Sequence, residues 1–451
     1  MRAQPVKTRT LINLLTALSV FPSGAKIAAA DYFTNVPSMA TARSGHAAVL
    51  LPTGKALVFG GYYGPGIVTN SAELYDATNR SWSPTAPMSS RRVGSTATLL
   101  QNGKVLAAGG LSIFYNTYAT NAELYEPATA SWSTSGALKL PRSSHTATLL
   151  TDGRVLIAGG DATNGYPAAA ELYDPTSGNW SLVGAMSSGR DGHTATLLTN
   201  GKVLVTGGHY SGVLSSVQLY DPATSNWTAG VSLPEAREFH TATLLPDGKV
   251  LIASGGGNIS FVLATCRLYS PVNGTWTTTG AVHTPRYGHT AVLLANGKVL
   301  IVGGYDNNNA VLSSSELYDP ATGTWTTNAP MNIGRAYPPA TLLPNGQVLI
   351  TGGAGAGGTA LSNAEVFVGA TIMVSPIILL NPKRLSDGTF QFAFTNVPGS
   401  TFTVLAASNA DSALSNWNAA GSAAEIAAGQ FQFIDASATN SPRRFYRVRT
   451  P

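Results

Sequence analysis

Apolar and polar residues alternate in short bursts along this chain, and the bursts come in a fixed order. The first burst reads His-Thr-Ala-Thr-Leu-Leu at residues 145–150, 193–198 and 240–245, with close variants elsewhere. Side chains of a strand point to opposite faces in turn, so this alternation predicts a half-buried strand. Asn-Gly or Asp-Gly follows at Asn102-Gly103, Asp152-Gly153, Asn200-Gly201, Asp247-Gly248, Asn296-Gly297 and Asn345-Gly346, and Thr53-Gly54 fills the same place once. Both central residues of a type I′ turn need positive φ, so each pair predicts a tight two-residue hairpin. An apolar run such as Val-Leu-Ile-Ala comes next and ends in Gly-Gly. After a loop of variable length the chain returns as Glu-Leu-Tyr-Asp-Pro, and a tryptophan stands 7 residues behind the tyrosine. The proline blocks extension of that ladder. Each unit predicts four short antiparallel strands.

The units can be counted. Gly-Gly pairs begin at Gly60, Gly109, Gly159, Gly207, Gly303 and Gly352, with Ser254-Gly255 in the remaining slot. Tryptophans at Trp82, Trp132, Trp180, Trp227, Trp276 and Trp325 each precede the next opening slot by 13 residues. Those slots hold His46, Ser95, His145, His193, His240, His289 and Pro338. Counting back 13 residues from His46 gives Phe33, while the seventh unit has no tryptophan of its own after residues 364–367. The N-terminal stretch 31–36 is therefore expected to supply the missing fourth strand, with Phe33 in the tryptophan slot. A lone four-stranded sheet cannot bury both apolar faces, whereas sheets packed around an axis cover each other. The paired glycines, the Glu-Leu-Tyr-Asp-Pro phrase and the spaced tryptophan resemble kelch repeats over about residues 31–370. That resemblance implies an all-β fold, a seven-bladed kelch β-propeller closed by the N-terminal strand.

Only one segment of the unit changes length. From the first glycine of the pair to the tyrosine slot the offset is 15, 16, 14, 13, 15, 15 and 15 residues. The loop in that segment is the natural carrier of function on a rigid frame. The candidate ligand-binding residues on it are Tyr62, Tyr63, Phe114, Tyr115, Tyr118, Asp161, Asn164, Tyr166, His209, Tyr210, Phe261, Tyr305 and Asp306. Exposed aromatic rings beside Asp and Asn suit a sugar ring or a segment of a partner protein.

The recurrent polar residues read as architecture. The slot histidine recurs in five units of seven, and equivalent positions around a wide axis cannot converge on one metal ion. An arginine stands three residues earlier in every unit: Arg43, Arg92, Arg142, Arg190, Arg237, Arg286 and Arg335. Glu73, Glu123, Glu171, Glu316 and Glu365 open the third strand, so bidentate Arg–Glu pairing is expected, with an anion-binding mouth as the other reading. Gln218 and Arg267 break the glutamate series, which leaves arginines nearby without that partner. Cys266 occupies the slot of Ala72 and Ala122 and reads as a small core residue. His209 and His283 fall outside the repeated slot and are better placed for special work. The run Asp306-Asn307-Asn308-Asn309 offers oxygens of the kind calcium takes.

Charge changes the picture only at the start. The chain carries a formal +5, but four of its 27 basic residues, Arg2, Lys7, Arg9 and Lys26, precede residue 31. The remainder is nearly neutral, which gives nucleic-acid binding no electrostatic support. Those early charges flank an apolar stretch, Leu11 to Phe21, and small residues ending at Ala30. This is the layout of a secretory signal peptide over 1–30, so the protein is expected to be secreted, periplasmic or at the cell surface. No later apolar run reaches the roughly 20 residues of a membrane span, and a single cysteine excludes an internal disulfide. A monomer without cofactor or metal is expected.

After about residue 370 the repeat stops. Alternating stretches such as 389–394, 402–404 and 431–433 predict a small antiparallel β-sandwich over 371–451. Its Phe-Gln-Phe-Ala-Phe, Trp417 and Arg-Arg-Phe-Tyr-Arg-Val-Arg phrases resemble a C-terminal module of secreted bacterial proteins, notably of Verrucomicrobia type.

With no single converging catalytic set, the expected function is an exported protein that binds a carbohydrate or protein ligand through its variable loops. The alternative is a carbohydrate-active enzyme of kelch type, mutarotase-like or, further off, galactose-oxidase-like. The galactose-oxidase resemblance implies copper held by tyrosines and histidines, with a Cys–Tyr crosslink and a histidine from a C-terminal domain. Here no histidine follows His289.

Overall fold

The computed structural model describes residues 31–64, 66–112, 117–258, 261–369, 380–395, 403–407, 418–427, 430–437 and 445–449. The expected signal peptide, Phe114, Tyr115 and Trp417 lie outside the described residues. The described chain is all-β apart from short 3-10 turns, as at Ala356–Gly358. No helix among the described residues is long and apolar enough to cross a membrane.

Two compact units divide the chain after about residue 370. In the larger one, the first sheet runs Ala47–Leu50, Ala56–Phe59, Ala72–Asp76, Ser81–Thr85, with each strand antiparallel to the next. Five sheets repeat this order over residues 96–135, 146–183, 194–229, 241–279 and 290–328. A further sheet takes Ala340–Leu342, Val348–Thr351 and Ala364–Val368 and draws its fourth strand, Tyr32–Val36, from the N-terminus. Phe33 lies opposite Phe367 there, the same register at which Trp82 faces Tyr75 and Trp132 faces Tyr125.

The opening strands touch one another in a closed cycle, from residues 47–50 through each sheet in turn to 340–342 and back. Every second strand is buried along its whole length, because it lies between neighbours on both faces. The core is accordingly a set of apolar layers between sheets. One joins Leu57 and Phe59 to Val105 and Ala107. The layer at the seam joins Ala56 and Tyr75 to Leu349 and Val366. Each tryptophan reaches back a further step: Trp132 Nε1 donates to Ala86 O at 2.9 Å and Trp325 Nε1 to Gly280 O at 2.9 Å.

Close approach explains the paired glycines. Gly60 has φ +69°, and a Cβ there would stand 2.5 Å from Arg92 O of the next unit. Gly109 repeats this against Arg142 O, also at 2.5 Å. A side chain would force neighbouring sheets apart.

The hairpins differ from the two-residue type I′ turns expected from the sequence. At residues 100–103 Gly103 N donates to Leu100 O at 3.0 Å, while Leu100 N donates to Lys104 O at 2.8 Å. Only the glycine is left-handed, at φ +83°. The preceding Asn102 stays at negative φ because its Oδ1 accepts Lys104 N at 3.1 Å. The loop is a type I turn closed by a glycine bulge, one residue longer than expected.

In the smaller unit, Leu380–Arg384, Phe390–Thr395, Gln430–Asp435 and Ala424–Ala427 form one sheet, and Asn418–Ser422, Thr403–Ala407 and Phe445–Arg449 another. Phe392, Phe431 and Phe433 of the first share a buried cluster with Val404 of the second.

If the N-terminal strand closes the cycle, Phe33→Ala should lower unfolding free energy by about 2–3 kcal/mol, the size expected for a partly buried aromatic ring. Phe33 stacks on Phe367 at 5.3 Å between centroids. Urea unfolding measures this, and an unchanged midpoint would detach the strand from the fold.

Candidate functional site

Seven arginines fix the geometry of one end of the larger unit. All seven are fully buried at 0 % exposure, so their donors must find acceptors inside the protein; the terminal nitrogens do, while Nε is partnered only in Arg286. Arg43 Nη1 donates to Gly60 O at 2.8 Å and Ser71 O at 3.0 Å, and Nη2 reaches Glu73 Oε1 at 2.9 Å. Glu73 in turn accepts Ala40 N at 2.7 Å and Thr41 N at 3.2 Å. Arg92–Glu123, Arg142–Glu171, Arg286–Glu316 and Arg335–Glu365 repeat the pair at 2.7–3.0 Å. One guanidinium thereby ties the glycine corner, the third strand and its own loop together. A lysine ammonium lacks the planar fork for this.

Two units depart from the pattern. Where Arg267 replaces glutamate, Glu235 steps in and bridges Arg237 and Arg267. That corrects the expectation of an arginine left free there. In the unit of Gln218, Arg190 has no carboxylate: its Nη2 meets Ser216 Oγ at 3.0 Å, and burial pushes its pKa down to about 10. None of the seven faces solvent, so the anion-binding reading of these arginines is also corrected.

The slot histidines join neighbouring sheets. His46 Nε2 meets Thr351 Oγ1 at 2.9 Å across the seam, and His145–Thr96, His193–Thr146, His240–Thr194 and His289–Thr241 repeat the contact at 3.0–3.1 Å. Burial holds His46, His145, His193 and His289 at about 3, and His240 well below its ordinary value.

With the arginine anchored inward, the residues after it form the mouth. The next positions are Ser44, Val93, Ser143, Asp191, Glu238, Tyr287 and Ala336, each bridged to the residue behind the glycine corner: Tyr62, Leu111, Asp161, His209, Gly256, Tyr305 and Ala354. One position further on, glycine stands in four units, at Gly45, Gly94, Gly192 and Gly288, with left-handed φ. Phe239 and Tyr337 occupy that position in two others, each at φ +49°. A bulky side chain in this region is strained by about 1 kcal/mol or more.

These residues surround an open cavity of about 590 Å³ to which all seven repeats contribute, lined by Tyr62, Phe239, Tyr305 and Tyr337 among others. A second cavity of about 540 Å³ adjoins it through Phe239 and takes in His209, Glu238, Phe261 and Tyr287. Phe239 meets Tyr337 edge-on at 5.7 Å, Tyr337 meets Tyr305 at 6.1 Å, and Tyr305 meets Tyr287 at 5.4 Å. Across the mouth Tyr166 stands edge-on to His209 at 5.7 Å and to Tyr210 at 6.3 Å. Burial raises the carboxyls of Asp191 and Glu238, their acidic neighbours raise them further, and His209 draws both down. Burial and the facing Asp161 push the Tyr118 hydroxyl up to about 12.

Of the residues expected from the loops, Tyr62 and Tyr305 line the axial cavity, and His209, Phe261 and Asp306 line its neighbour. Tyr118 donates to Asp161 Oδ2 at 2.6 Å, and Tyr166 gathers with His209 and Tyr210. Tyr63 is exposed and lines neither cavity. Asn164 is exposed in its own loop. The asparagine run does not converge on a cation: Asp306 Oδ1 accepts Asn308 N and Ala310 N, Asn307 Oδ1 accepts Val262 N, and Asn309 Oδ1 accepts the Tyr287 hydroxyl. His283 pairs with Glu316 at 2.9 Å, away from both cavities' linings. Asp191, Glu238, Phe239, Tyr287 and Tyr337 were missed. They sit in a stretch of constant length, and the signal was identity: the residue after each arginine is Ser, Val, Ser, Asp, Glu, Tyr and Ala in turn.

A copper centre does not fit these residues. Cys266 is buried between Ala253 and Thr279 with its thiol pushed up to about 11, and the five slot histidines, of which His46, His145 and His193 reach the axial cavity, each turn Nε2 to a threonine of the neighbouring sheet. Among the described residues, no three His, Cys, Asp or Glu side chains form a metal-holding group.

The comparisons agree with this architecture. The family model described as KLHDC2/KLHL20/DRC7 Kelch-repeats domain matches residues 94–281, and the Kelch motif matches 42–89 and 285–332. Kelch repeats are thus found within residues 42–332, in a propeller-like all-β fold. A novel fungal alcohol oxidase of the AA5 family, solved in complex with copper, superimposes with a TM-score of 0.64 at 15 % identity, covering 93 % of this chain and 96 % of that one. That likeness is one of fold. No curated protein matches.

Two outcomes test the frame. Glu171→Gln leaves Arg142 buried without its carboxylate and should cost about 3 kcal/mol in urea unfolding; no change would mean the pair is not the tie. The histidines ionise near 6.5 when unfolded and resist protonation when folded, so their contribution is complete above that value and drains as pH falls toward 3. Five of them give a slope of up to about 7 kcal/mol per pH unit, trimmed by Asp191 and Glu238, whose raised carboxyls act in the opposite sense. His193→Gln should flatten the measured slope by about 1.4 kcal/mol per unit between about pH 5.5 and 4.5. An unaltered slope would place that histidine in water.

Proposed function

We propose that this protein is an exported binding protein whose seven-bladed kelch propeller takes a carbohydrate on the mouth described above, with a C-terminal β-sandwich appended. The observation that carries the reading is the pair Phe239 and Tyr337. Their left-handed backbones put rings at the mouth where four other units keep glycine. Strain of this kind persists where function uses the side chain it presents. Each ring rests on the glycine of the preceding repeat, Phe239 over Gly192 and Tyr337 over Gly288, and Tyr337 keeps 40 % of its surface exposed. Flat rings beside carboxylates and amides are the surface a sugar uses, its C–H face on the aromatic and its hydroxyls on the polar groups.

The test is a glycan array followed by calorimetry on the saccharide retained. Tyr337→Ala and Tyr305→Ala should each weaken binding about tenfold, near the 1.4 kcal/mol that one such ring contributes. Phe239→Gly should weaken binding yet raise the melting temperature, because it relieves the backbone. A protein that retains no saccharide, or one whose binding ignores all three changes, overturns the reading.

A further inference from the structure

The charge around the mouth is one-sided. Asp161, Asp191 and Glu238 all act electrostatically on the ring of Tyr166, and Asp191 and Glu238 act on each other. No lysine or arginine lines either cavity among the described residues. The buried guanidiniums do not supply the counter-charge: they are enclosed, and all but Arg190 are matched by a carboxylate. Only His209 faces the acids as a base. Asp191 Oδ1 is buried and takes no hydrogen bond among the described residues. Glu238 lines the second cavity beside His209, and Asp191, which lines neither cavity, is bridged to His209. Aromatic rings gather in two groups at this end, Tyr166 with Tyr210 and Phe239 with Tyr337 and Tyr305.

We infer that the mouth selects a cationic saccharide, one whose ring bears a free ammonium group, by setting that group against Asp191 and Glu238 within reach of the Phe239, Tyr337 and Tyr166 rings. The inference rests on the carbohydrate reading above and narrows it to a class. Carboxylates confined together repel unless a cation joins them. An ammonium over an aromatic face gains from the ring quadrupole as well. A neutral sugar would leave the acids uncompensated, and an anionic one would add to the repulsion. Asn258, Asn307 and Asn309 at the adjoining cavity supply amides for hydroxyl groups, which favours a saccharide over a lysine side chain carried on a peptide.

The experiment compares a glucosamine tetrasaccharide with its fully N-acetylated counterpart by calorimetry slightly below neutral pH, on the whole protein and on an Asp191→Asn/Glu238→Gln variant. The free amine form should bind at least tenfold more tightly to the native protein, and its advantage should fall with added salt. In the variant the two saccharides should bind within twofold of each other, while the melting temperature holds or rises as the repulsion is removed. Equal binding of both saccharides to the native protein, or a preference that survives in the variant, overturns the charge selection while leaving the carbohydrate reading standing. Binding of an oligolysine peptide with neither saccharide bound overturns both.

Discussion

A guanidinium buried beyond the reach of water must take its hydrogen-bond acceptors from the protein, and seven such groups organise the larger unit through their terminal nitrogens. Each spends Nη1 on two carbonyls from different strands. A buried pair is weak evidence for net stability, since desolvation offsets much of its attraction. Its value here lies in geometry. The fork permits one arrangement of corner, strand and loop, so the residues that follow it are presented at the mouth in the same way in every repeat.

The rest of the inter-sheet joint follows from that arrangement. A carbonyl of the same arginine, Arg92 O, comes so near Gly60 that only glycine fits, and Gly61 N donates to it at 2.7 Å. The histidine three residues on then meets a threonine of the preceding sheet, and the tryptophan donates to a backbone carbonyl there. At the seam these joints are made by residues far apart in sequence, His46 with Thr351 and Phe33 with Phe367. Closing the cycle therefore requires the two ends of the larger unit to meet, and the apolar layer between Ala56 and Leu349 forms when they do.

Much of this frame was legible because repetition averages out local ambiguity. Phe33 is an unremarkable residue until the spacing of six tryptophans assigns it a slot. The turns were read less well: Asn-Gly suggested two left-handed residues, but the asparagine side chain caps its own turn and keeps its backbone on the ordinary side. The site was only half legible. Loop length pointed to Tyr62, Tyr305 and His209, which do reach the cavities. It was blind to Asp191, Glu238, Phe239 and Tyr337, since these vary in identity without any change in spacing. A residue's departure from the repeat carries the information there, and Phe239 and Tyr337 in place of glycine are the plainest departures.

Those departures are not scattered. The repeat that replaces its glutamate by Gln218 carries Asp191 and His209, and the next, which replaces it by Arg267, carries Glu235, Glu238 and Phe239. The two neighbouring units that lose the third-strand glutamate, one leaving Arg190 without a carboxylate and the other meeting Arg237 through Glu235, are thus the two that hold Asp191 and Glu238. Physical coupling accounts for this. Arg190, lacking a carboxylate, and Asp191, raised by burial and by Asp161 and drawn down by His209, are consecutive residues, the arginine enclosed and the aspartate only half-buried. Moving the negative charge from the third strand to the mouth gives up a structural partner and gains an exposed one. A frame tied at five other places can absorb that exchange, and a single-site scaffold of this size could not spread the loss in the same way.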